Sequence, residues 1–449
     1  MMGSDARSGV ADFLAEAVRR DPGRPALVSP ERAWSYAELD RAVDRRAAEL
    51  ERDGLAAGVV HPVTLEPDAP GMVTLFALWR LGVTPAPLNP RLTDIERRLA
   101  VEALDTATPG GQAILWTSGT SGRPRGVALS ADNLRASALA AAARLGLGPD
   151  DVWLASLSVA HVGGIALVTR SLLLGGVLAA WGRFTAPSAS ALVDGVETSD
   201  GSAVRVTHLS VVPTQLLQLL EERRGAPPPR TLRCALVGGA HAPPDLVVRA
   251  LGEGWPLALS YGMTEMTSQV ATAPPGLVRA KPGTVGRPLD GVELRVAADG
   301  EIFVRGAIFA LGYVGTDTPL RDGEGWYHTG DLGRLDGEGD LWITGRRSDR
   351  IVSGGVNVDA HEVEAALRAH PAVLDACVVG LPDERWGEVV GAALVGRGAE
   401  VDVDALAAWI RERLSAAKRP RRWLVVAALP LNANGKVDRG AVRRGMLGG

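Results

Sequence analysis

Short apolar runs alternate with segments of helical periodicity along most of this chain, and this alternation constrains the fold more than any other feature. The run Trp153 to Leu157, for example, precedes a helical pattern from Gly163 to Leu174. Repeated strand–helix units are typical of parallel sheets covered by helices. At 449 residues the chain exceeds what one hydrophobic core usually supports. We therefore expect an α/β fold of at least two domains.

Local patterns predict further elements. Helical periodicity covers 7–20, 36–50 and 72–81, and the prolines at 85, 87 and 90 predict an extended segment. A strand ends near Trp116, and a helix follows from about Asp132 to Leu145 with Ser130 as its cap. Asp359 and Glu362 resemble a capping box at the start of a helix that ends before Pro371. Strands near 376–379 and 389–395 and a helix from Val403 complete the C-terminal pattern.

The segment WTSGTSGRPRGV, residues 116–127, has the composition of a phosphate-binding loop. Its glycines allow close backbone approach, and its hydroxyl side chains can donate to phosphate oxygens. These are Gly119, Gly122 and Gly126, with Thr117, Ser118, Thr120 and Ser121. Pro124 breaks the spacing of a Walker loop, and a G-x-G-x-x-G motif is missing. Arg123 and Arg125 favour anion binding over the alternative, a solvated surface turn.

Three more segments occur further along: SYGMTE from Ser260, WYHTGDLG with GRRSDRIVSGGVNVDAHEVE from Trp326, and PLNANGKVDR from Pro430. With the loop, this set resembles the acyl-adenylate-forming superfamily of acyl-CoA ligases, peptide-synthetase adenylation domains and luciferases. The resemblance covers nearly the whole chain. It implies a large N-terminal ATP- and acid-binding domain, residues 1–346, of layered βαβ subdomains with a shortened first subdomain. A small mobile α+β domain, residues 347–449, would carry the catalytic lysine.

The resemblance also implies roles in binding ATP and Mg²⁺. Glu265 would hold Mg²⁺ on the phosphates, Thr264 would donate to the α-phosphate, and Tyr261 would lie against adenine. Asp331 and Arg346 would bind the ribose. The remaining nucleotide contacts would come from Thr117, Ser118, Gly119, Thr120, Ser121, Gly122, Arg125, Gly238, Gly239 and Ala240. Without the motifs, Tyr261 would be an ordinary half-buried aromatic residue and 238–240 a plain strand-to-loop turn.

Lys436 is the predicted catalytic lysine, an ammonium that would bridge the attacking carboxylate and the α-phosphate during adenylation only. Outside the motif it would be a solvated surface charge. For the second half-reaction, the family rotates its small domain about a hinge, which corresponds to Ser348 here, where relatives often have Asp or Lys. Gly354 and Gly355 would then line the pantetheine tunnel of CoA, although they also suit a simple turn.

The acyl site resembles that of o-succinylbenzoate–CoA ligases of menaquinone synthesis, from the segments SVAHVGGIALV, SVVPTQL and YGMTEMTSQV. His161 would guard the acyl and thiol entrance, or be a core histidine instead. Ser210, Thr214, Ser268 and Gln269 would contact an aromatic keto-dicarboxylic acid. The second carboxylate of this acid needs a cation or several hydrogen-bond donors in the pocket. The candidates are Arg205, His208 and Arg279.

One departure from the family concerns Arg125, because lysine is common at this position. A planar guanidinium replaces a point charge, so its donors need not reach the same oxygens. The basic cluster Lys418, Arg419, Arg421 and Arg422 suits either CoA phosphates or a solvated helix end.

Charge and cysteine content agree with an intracellular enzyme. Lys plus Arg number 48 and Asp plus Glu 52, and this net charge of −4 favours neither nucleic acid nor an anionic membrane as partner. Cys234 and Cys377 lie in apolar runs, as buried thiols in a reducing compartment do. The first ten residues are polar and no apolar stretch reaches the ~20 residues of a membrane span. We expect a cytoplasmic enzyme, and the resemblance adds a homodimer as an option, because many relatives form dimers.

Three functional classes follow. The first is a CoA ligase for o-succinylbenzoate or for another aromatic or medium-chain acid. The second is a stand-alone adenylation enzyme that loads a carrier protein, disfavoured because the chain ends soon after Lys436. The third, a non-catalytic nucleotide binder, is disfavoured by the presence of Lys436, Glu265, Asp331 and Arg346.

Overall fold

The computed structural model describes residues 9–106, 111–118, 124–316, 319–398, 401–432 and 435–448. The chain divides into two compact units. The first consists of Met1–Ala242, Arg249–Leu294 and Val304–Tyr327, and the second of Pro243–Val248, Arg295–Phe303 and His328–Gly449. The α/β fold class is confirmed. The domain boundary expected after Arg346 stays a prediction.

The helices are bounded as follows: α1 Phe13–Arg20, α2 Tyr36–Arg52, α3 Ala69–Arg80, α4 Asp94–Ala103, α5 Ala131–Leu145, α6 Val162–Leu174, α7 Ala186–Asp194, α8 Pro213–Arg223, α9 Pro244–Gly252, α10 Pro275–Ala280, α11 Ala360–Arg368, α12 Val403–Arg413 and α13 Arg439–Met446. Short 3₁₀ turns occupy Leu104–Thr106, Thr264–Met266, Arg347–Asp349 and Ala416–Lys418.

The strands are β1 Pro25–Val28, β2 Ala33–Ser35, β3 Val60–Val63, β4 Thr84–Pro87, β5 Ala113–Ser118, β6 Pro124–Leu129, β7 Val152–Leu154, β8 Val177–Ala179, β9 Val196–Glu197, β10 Ala203–Val204, β11 His208–Val211, β12 Cys234–Val237, β13 Leu257–Met263, β14 Ser268–Ala273, β15 Val292–Val296, β16 Glu301–Gly306, β17 Gly312–Tyr313, β18 Tyr327–Leu335, β19 Leu341–Arg346, β20 Arg350–Ser353, β21 Val356–Asp359, β22 Val373–Asp383, β23 Gly387–Gly396 and β24 Arg422–Val426.

The main sheet of the first unit has the order β14-β13-β12-β11-β7-β8-β1-β2. Its interior pairs are parallel, and the edge pairs β13–β14 and β1–β2 are antiparallel. Parallel neighbours place their carboxyl ends at one edge, where ligands bind in open α/β sheets. A separate antiparallel sheet, β17-β6-β5, carries the strands that flank the predicted phosphate loop.

Helix caps explain where several elements begin. Ser35 and Ser130 each accept from the backbone N–H three residues later and form capping boxes, with Glu38 and Asn133 respectively. Ser130 therefore caps α5 as the sequence predicts. Gly146 ends this helix in the left-handed conformation, with φ of 65°.

The core of the first unit lies between its main sheet and the helices that cover it. Phe13, Trp79, Trp153, Ile165 and Leu236 are among its buried members. Cys234 belongs to this core, and burial raises the pKa of its thiol to about 12. The expectation of a buried thiol is confirmed there, and Cys377 is likewise buried and free in the second unit.

The second unit contains a sheet of order β21-β20-β23-β22, in which β24 pairs in parallel with β23. One face packs under α11 and α12 through Val363, Leu367, Leu406 and Ile410. The other face packs against α13 through Val442. Most of the sheet β15-β16-β18-β19 also belongs to this unit.

Two local predictions are wrong in detail. The first helix was predicted from Arg7 and begins at Phe13. Asp12 caps this helix by accepting a hydrogen bond from the N–H of Ala15. Residues 1–8 lie outside the described part of the chain. Asp359 does cap α11, through His361 N–H. Glu362, however, binds Lys418 at 2.6 Å instead of completing a capping box.

The helices described by the structure include none that combines the length and apolar character needed to cross a bilayer.

Candidate active site

The predicted phosphate loop joins two antiparallel strands. The strands β5 and β6 pair from Ala113 opposite Leu129 to Ser118 opposite Pro124. Thr117 Oγ1 donates to the carbonyl oxygen of Arg125 at 3.4 Å. Much of the twelve-residue segment is therefore strand, and α5 follows β6 rather than the loop. The predicted contacts Gly119, Thr120, Ser121 and Gly122, with Arg123, lie outside the described residues.

Glu265 is held by a tyrosine that the sequence analysis did not identify. Its side chain is buried, 9% exposed, and Oε1 accepts a hydrogen bond of 3.0 Å from the hydroxyl of Tyr313. Burial and the adjacent Glu265 carboxylate raise the pKa of Tyr313, so its hydroxyl stays protonated near neutral pH and donates. The ring of Tyr313 also lies 5.1 Å from the Arg125 guanidinium. Tyr313 thus connects the predicted metal-side carboxylate to the strand that leaves the phosphate loop.

The chain reverses tightly around Glu265. Thr264, Glu265 and Met266 form a 3₁₀ turn, and Thr267 and Ser268 then adopt positive φ of 47° and 99°. Two hydrogen bonds of 2.7 Å fix Thr267: its Oγ1 donates to Ile308 O, and its carbonyl accepts from Ser137 Oγ. Positive φ at residues other than glycine is costly and persists where the surroundings enforce it. The surrounding contacts therefore hold Thr264 and Glu265 in one fixed turn.

Glycine is required where β13 meets β14. Gly262 pairs with Gln269, and a Cβ at Gly262 would lie 1.8 Å from the carbonyl oxygen of Ser268. The register shifts between Tyr261 and Gly262. Tyr261 is buried within β13, and its predicted contact with adenine stays a prediction.

The carboxyl ends of β11, β12 and β13 bring several predicted residues to one edge of the main sheet. Ser210 is buried near the end of β11, and Thr214 lies in the first turn of α8. Gly238 follows β12, and a Cβ there would lie 2.5 Å from Ser260 Oγ. Gly239 and Ala240 are exposed beside it, with Gly239 at φ of 79°.

His161 caps α6 by position rather than by its side chain. Its Nε2 lies 2.9 Å from Asn89 Nδ2. Because Asn89 Oδ1 already accepts from the N–H of Arg91, the amide NH₂ faces His161 and donates to Nε2. His161 is half-buried, and its role at the entrance for acid and thiol stays a prediction.

The predicted ribose pair is formed within the second unit. Asp331 in β18 faces Arg346 in β19 across the sheet, and Arg346 Nε lies 3.0 Å from Asp331 Oδ1. The side chain of Arg346 is 57% exposed and that of Asp331 17%, so the guanidinium is accessible from solvent. Ser348 follows in the 3₁₀ turn and donates to Asp349 Oδ1 at 3.1 Å. Its role as a hinge stays a prediction.

Lys436 lies in a short backbone-bonded loop. Its N–H donates to Asn432 Oδ1 at 3.1 Å, and its carbonyl accepts from the N–H of Asn432 at 2.7 Å. Arg439, three residues later, anchors the segment by donating to Glu364 Oε1 and to the carbonyl of Val378, both at 2.6 Å. Glu364 is buried, so this ion pair fixes the chain that follows Lys436.

Gly354 and Gly355 form the turn of the β20–β21 hairpin. Ser353 pairs with Val356, and both glycines have positive φ, 59° and 79°, as a type I′ turn requires. Their turn is thus confirmed as structure, and a role beside pantetheine stays a prediction.

The cations proposed for a second carboxylate do not fit that role. Arg205 and Arg279 are exposed. His208 is buried, but burial and the nearby Arg233 and Arg170 lower its pKa to about 3, so it is neutral. Sequence reasoning missed Arg170, a buried arginine of α6 whose Nη1 donates to Gln269 Oε1 at 3.4 Å. An arginine among Leu, Val and Ser in an otherwise apolar helix was the signal available.

The basic cluster near residue 420 is engaged within the second unit. Besides the Lys418–Glu362 pair, Arg419 Nε donates to Leu414 O at 2.8 Å, and Arg421 lies 4.5 Å from the ring of Trp386. These contacts favour a structural role for the cluster over the binding of CoA phosphates.

Comparison with known families and proteins agrees with this arrangement. Residues 14–108 and 112–314 match the AMP-binding enzyme family, and residues 362–436 match the AMP-binding enzyme C-terminal domain. The 2-succinylbenzoate–CoA ligase of Bacillus pumilus is 32% identical, over 93% of this chain and 94% of its own length. The enzyme of that name from Bacillus subtilis is 31% identical, over 96% and 97%.

Solved structures give the same result. The o-succinylbenzoate CoA synthetase of Bacillus subtilis, in complex with the acyl-adenylate intermediate OSB-AMP, superposes with a TM-score of 0.86 at 30% identity. The alignment covers 96% of this chain and 98% of that one. The same enzyme with ATP and a magnesium ion gives 0.83, with the same identity and coverage. The chain therefore belongs to the AMP-binding enzyme family, within the acyl-adenylate-forming superfamily.

Proposed function

We propose that this enzyme is an ATP- and Mg²⁺-dependent o-succinylbenzoate–CoA ligase of menaquinone biosynthesis. It joins the acid to AMP with release of pyrophosphate, and then transfers the acyl group from AMP to the thiol of CoA. The main support is similarity over nearly the full length to ligases named for this substrate.

Positive charge and hydrogen-bond donors must surround the α-phosphate, because adenylation brings one anion against another. Lys436 supplies an ammonium for this step, and Thr264 a hydroxyl. Thr117, Ser118 and Arg125 contribute from the strands that flank the loop, together with Gly119, Thr120, Ser121 and Gly122 of the loop itself. Tyr261, Gly239 and Ala240 accommodate adenine, and Asp331 with Arg346 binds the ribose hydroxyls.

The residues present fit a magnesium ion carried on the nucleotide. Mg²⁺ in such sites takes one or two protein carboxylates plus phosphate oxygens, which it neutralises. Glu265 provides one carboxylate, buried and oriented by Tyr313. The described residues contain no group of three His, Cys, Asp or Glu side chains arranged for a metal. A site of the nucleotide-bound kind does not need such a group.

In the second half-reaction the thiol of CoA must reach the acyl-adenylate, and a dedicated general base is not required. The adenylate is a reactive mixed anhydride and a thiol is a strong nucleophile once ionised. His161 guards the entrance for acid and thiol, while Ser210, Thr214, Ser268 and Gln269 contact the acyl group. We assign the 347–449 segment to the mobile domain, with Ser348 as hinge and Gly354 and Gly355 beside the pantetheine arm.

A panel assay tests the proposal. ATP, Mg²⁺ and CoA are mixed with o-succinylbenzoate, benzoate, other aromatic acids and medium-chain acids, and pyrophosphate release and thioester mass are followed. We expect o-succinylbenzoate to give the highest kcat/KM and a thioester of CoA. A higher value for another acid would replace the substrate, and thioester formation only on a carrier protein would replace the acceptor.

We also propose a cytoplasmic location, where ATP, CoA and reduced thiols coexist. The resemblance alone suggests a homodimer. Native mass spectrometry of the full chain distinguishes it from the monomer.

A further inference from the structure

Arg439 joins α11, β22 and the 3₁₀ turn that contains Asp349 within the second unit. Its Nη1 donates to Glu364 Oε1 in α11 and to the carbonyl oxygen of Val378 in β22, both at 2.6 Å. Its Nη2 lies 3.2 Å from His361 Nε2, on the same helix as Glu364. Its Nε lies 3.5 Å from Asp349 Oδ2. Each of the three guanidinium nitrogens therefore has a partner, as the planar fork of arginine allows.

The loop that carries Lys436 is closed by backbone hydrogen bonds directly before Arg439. The N–H of Asp438 donates to the carbonyl oxygen of Pro430 at 2.8 Å, and the N–H of Asn432 donates to that of Lys436 at 2.7 Å. Arg439 follows this closure as the first residue of α13. Because the loop is bonded to itself, its position in the unit depends on the contacts at its base, where Arg439 lies.

The contacts of Arg439 with α11 and β22 form a closed set. The side chain of Glu364 is 5% exposed, and its Oε1 accepts from the N–H of Val378 at 2.8 Å as well as from Arg439. Arg439 in turn donates to the carbonyl oxygen of Val378. A buried ion pair is costly to break because the partner that remains is left uncompensated. The base of the loop is therefore held in one geometry.

The contact with Asp349 reaches the turn that contains the predicted hinge. Ser348 donates to Asp349 Oδ1 at 3.1 Å, while Oδ2 faces Arg439. On the other side of Ser348, Arg347 forms an ion pair of 2.8 Å with Glu301. Glu301 begins β16, in the sheet β15-β16-β18-β19, whereas Arg439 is bonded to the sheet that contains β22. The two neighbours of Ser348 are thus tied to different sheets.

A rotation about Ser348 would therefore turn Asp349 and Lys436 together. The ion pair with Asp349 links the turn to Arg439, and the bonded loop links Arg439 to the ammonium-bearing residue. A catalytic group misplaced by ~1 Å can lose about 100-fold in rate. Since Lys436 is assigned to adenylation only, loss of this link should slow adenylation and spare thioester formation.

We propose that Arg439 is a positioning residue for adenylation, which joins the loop of Lys436 to the segment that begins at Asp349, so that both turn about Ser348 as one body. This inference rests on the proposed function, because it assigns the ammonium of Lys436 to the first half-reaction. It adds to that function a residue that acts through Lys436 rather than on the substrates.

The test measures the two half-reactions separately in wild type, in Arg439→Gln and in Lys436→Ala. Single-turnover pyrophosphate release with ATP, Mg²⁺ and the best acid of the panel gives the rate of adenylation. Thioester formation from supplied acyl-adenylate and CoA gives the rate of the second step. We expect Arg439→Gln to slow adenylation about 10- to 100-fold, because the ammonium is no longer held in place. Thioester formation should stay within a few-fold of wild type.

A double variant separates positioning from damage to the fold. If Arg439 acts only through Lys436, the double variant Lys436→Ala with Arg439→Gln should adenylate at the rate of Lys436→Ala alone, because effects that share one route do not add. A purely structural arginine would slow Lys436→Ala further, and its loss would depress both half-reactions in parallel.

Arg368→Gln is the matched control, because Arg368 is an arginine of α11 whose side chain is 7% exposed and lies in the same part of the unit. Its partners are Glu364 at 4.0 Å, Ala376 O at 3.2 Å, Asp375 at 3.6 Å and Asp245 at 3.9 Å. Within the described residues it forms no hydrogen bond or ion pair with the hinge turn or with the loop of the catalytic lysine. Its variant should lower Tm without a selective loss of adenylation.

Unchanged adenylation in Arg439→Gln, parallel loss in both half-reactions, or a further loss in the double variant overturns the positioning role and leaves the proposed function intact. Wild type that forms no acyl-adenylate with any acid overturns the proposed function, and the positioning role with it. If Arg439→Gln does not fold, Arg439→Lys keeps a charge opposite Glu364 but loses the planar fork, and its rates decide. Selective loss of adenylation supports the positioning role, and unchanged or equally reduced rates overturn it.

Discussion

Tyr313 donates its hydroxyl hydrogen to Glu265 across a separation of 48 residues, at 3.0 Å. Glu265 belongs to the turn after β13, whereas Tyr313 belongs to the two-residue strand that pairs with β6. The contact thus ties the end of the main sheet to the sheet that carries the phosphate loop. If Glu265 holds Mg²⁺ as proposed, this hydrogen bond would fix the orientation of its carboxylate before the ion binds.

Tyr313→Phe should raise the Mg²⁺ concentration needed for half-maximal adenylation about tenfold, because a hydrogen bond to a charged group is lost. Titration of Mg²⁺ at saturating ATP and acid measures this. Tyr36→Phe is the control, since its hydroxyl donates to Gly176 O in the core and should affect stability only. An unchanged Mg²⁺ requirement in Tyr313→Phe would contradict a metal-side role for Glu265.

Lys436→Ala should slow adenylation ~100- to 1000-fold while leaving thioester formation from supplied acyl-adenylate near the wild-type rate. Pyrophosphate release and thioester formation measure the two steps separately. Lys418→Ala, which removes a lysine paired with Glu362, should change neither. Equal loss in both half-reactions would show that Lys436 does not act on adenylation alone.

His208 should make the stability of the first unit depend on pH. Its folded pKa of about 3 lies below the ordinary value of 6.5, so the unfolded chain binds the additional proton between these values. The contribution of neutral His208 to the free energy of unfolding is fully present above pH ~6.5. It is lost as the pH falls toward 3. Arg170, Arg233 and Asp151 are the charged groups facing the ring.

Urea unfolding at pH 7.5 and pH 5 measures this effect in wild type and in His208→Gln. We expect the variant to lose less stability over that interval, because glutamine does not titrate. Equal losses in both proteins would mean that His208 is not buried in its neutral form.

Gly354→Ala should destabilise the second unit more than Gly355→Ala. Both positions have positive φ, so alanine at either costs about 1–2 kcal/mol. Only at Gly354 would the new Cβ approach Trp386 Cε3, at 2.5 Å, whereas nothing lies within 4 Å at Gly355. Overpacking adds about 1–3 kcal/mol. Chemical denaturation of the two variants measures the difference, and equal losses would place Trp386 away from the turn.

The sequence by itself determined the fold class, the family and the identity of many local elements. Periodicity predicted α5 and α6 with near-correct ends, and Ser130 was identifiable as a cap because the signal lies within four residues. The pairing of Asp331 with Arg346 also followed from motif order, although only the register of β18 and β19 shows that they are cross-strand neighbours.

The tertiary structure alone decided which residues support these groups. Tyr313 reaches Glu265, Asn89 orients His161, and Arg439 binds Glu364, each across at least 48 residues. It also decided which arginine is buried: Arg205 and Arg279 lie at the surface, while Arg170 lies inside. Local sequence patterns report backbone preference and burial on one element, whereas these contacts depend on how distant elements pack, which no local pattern encodes.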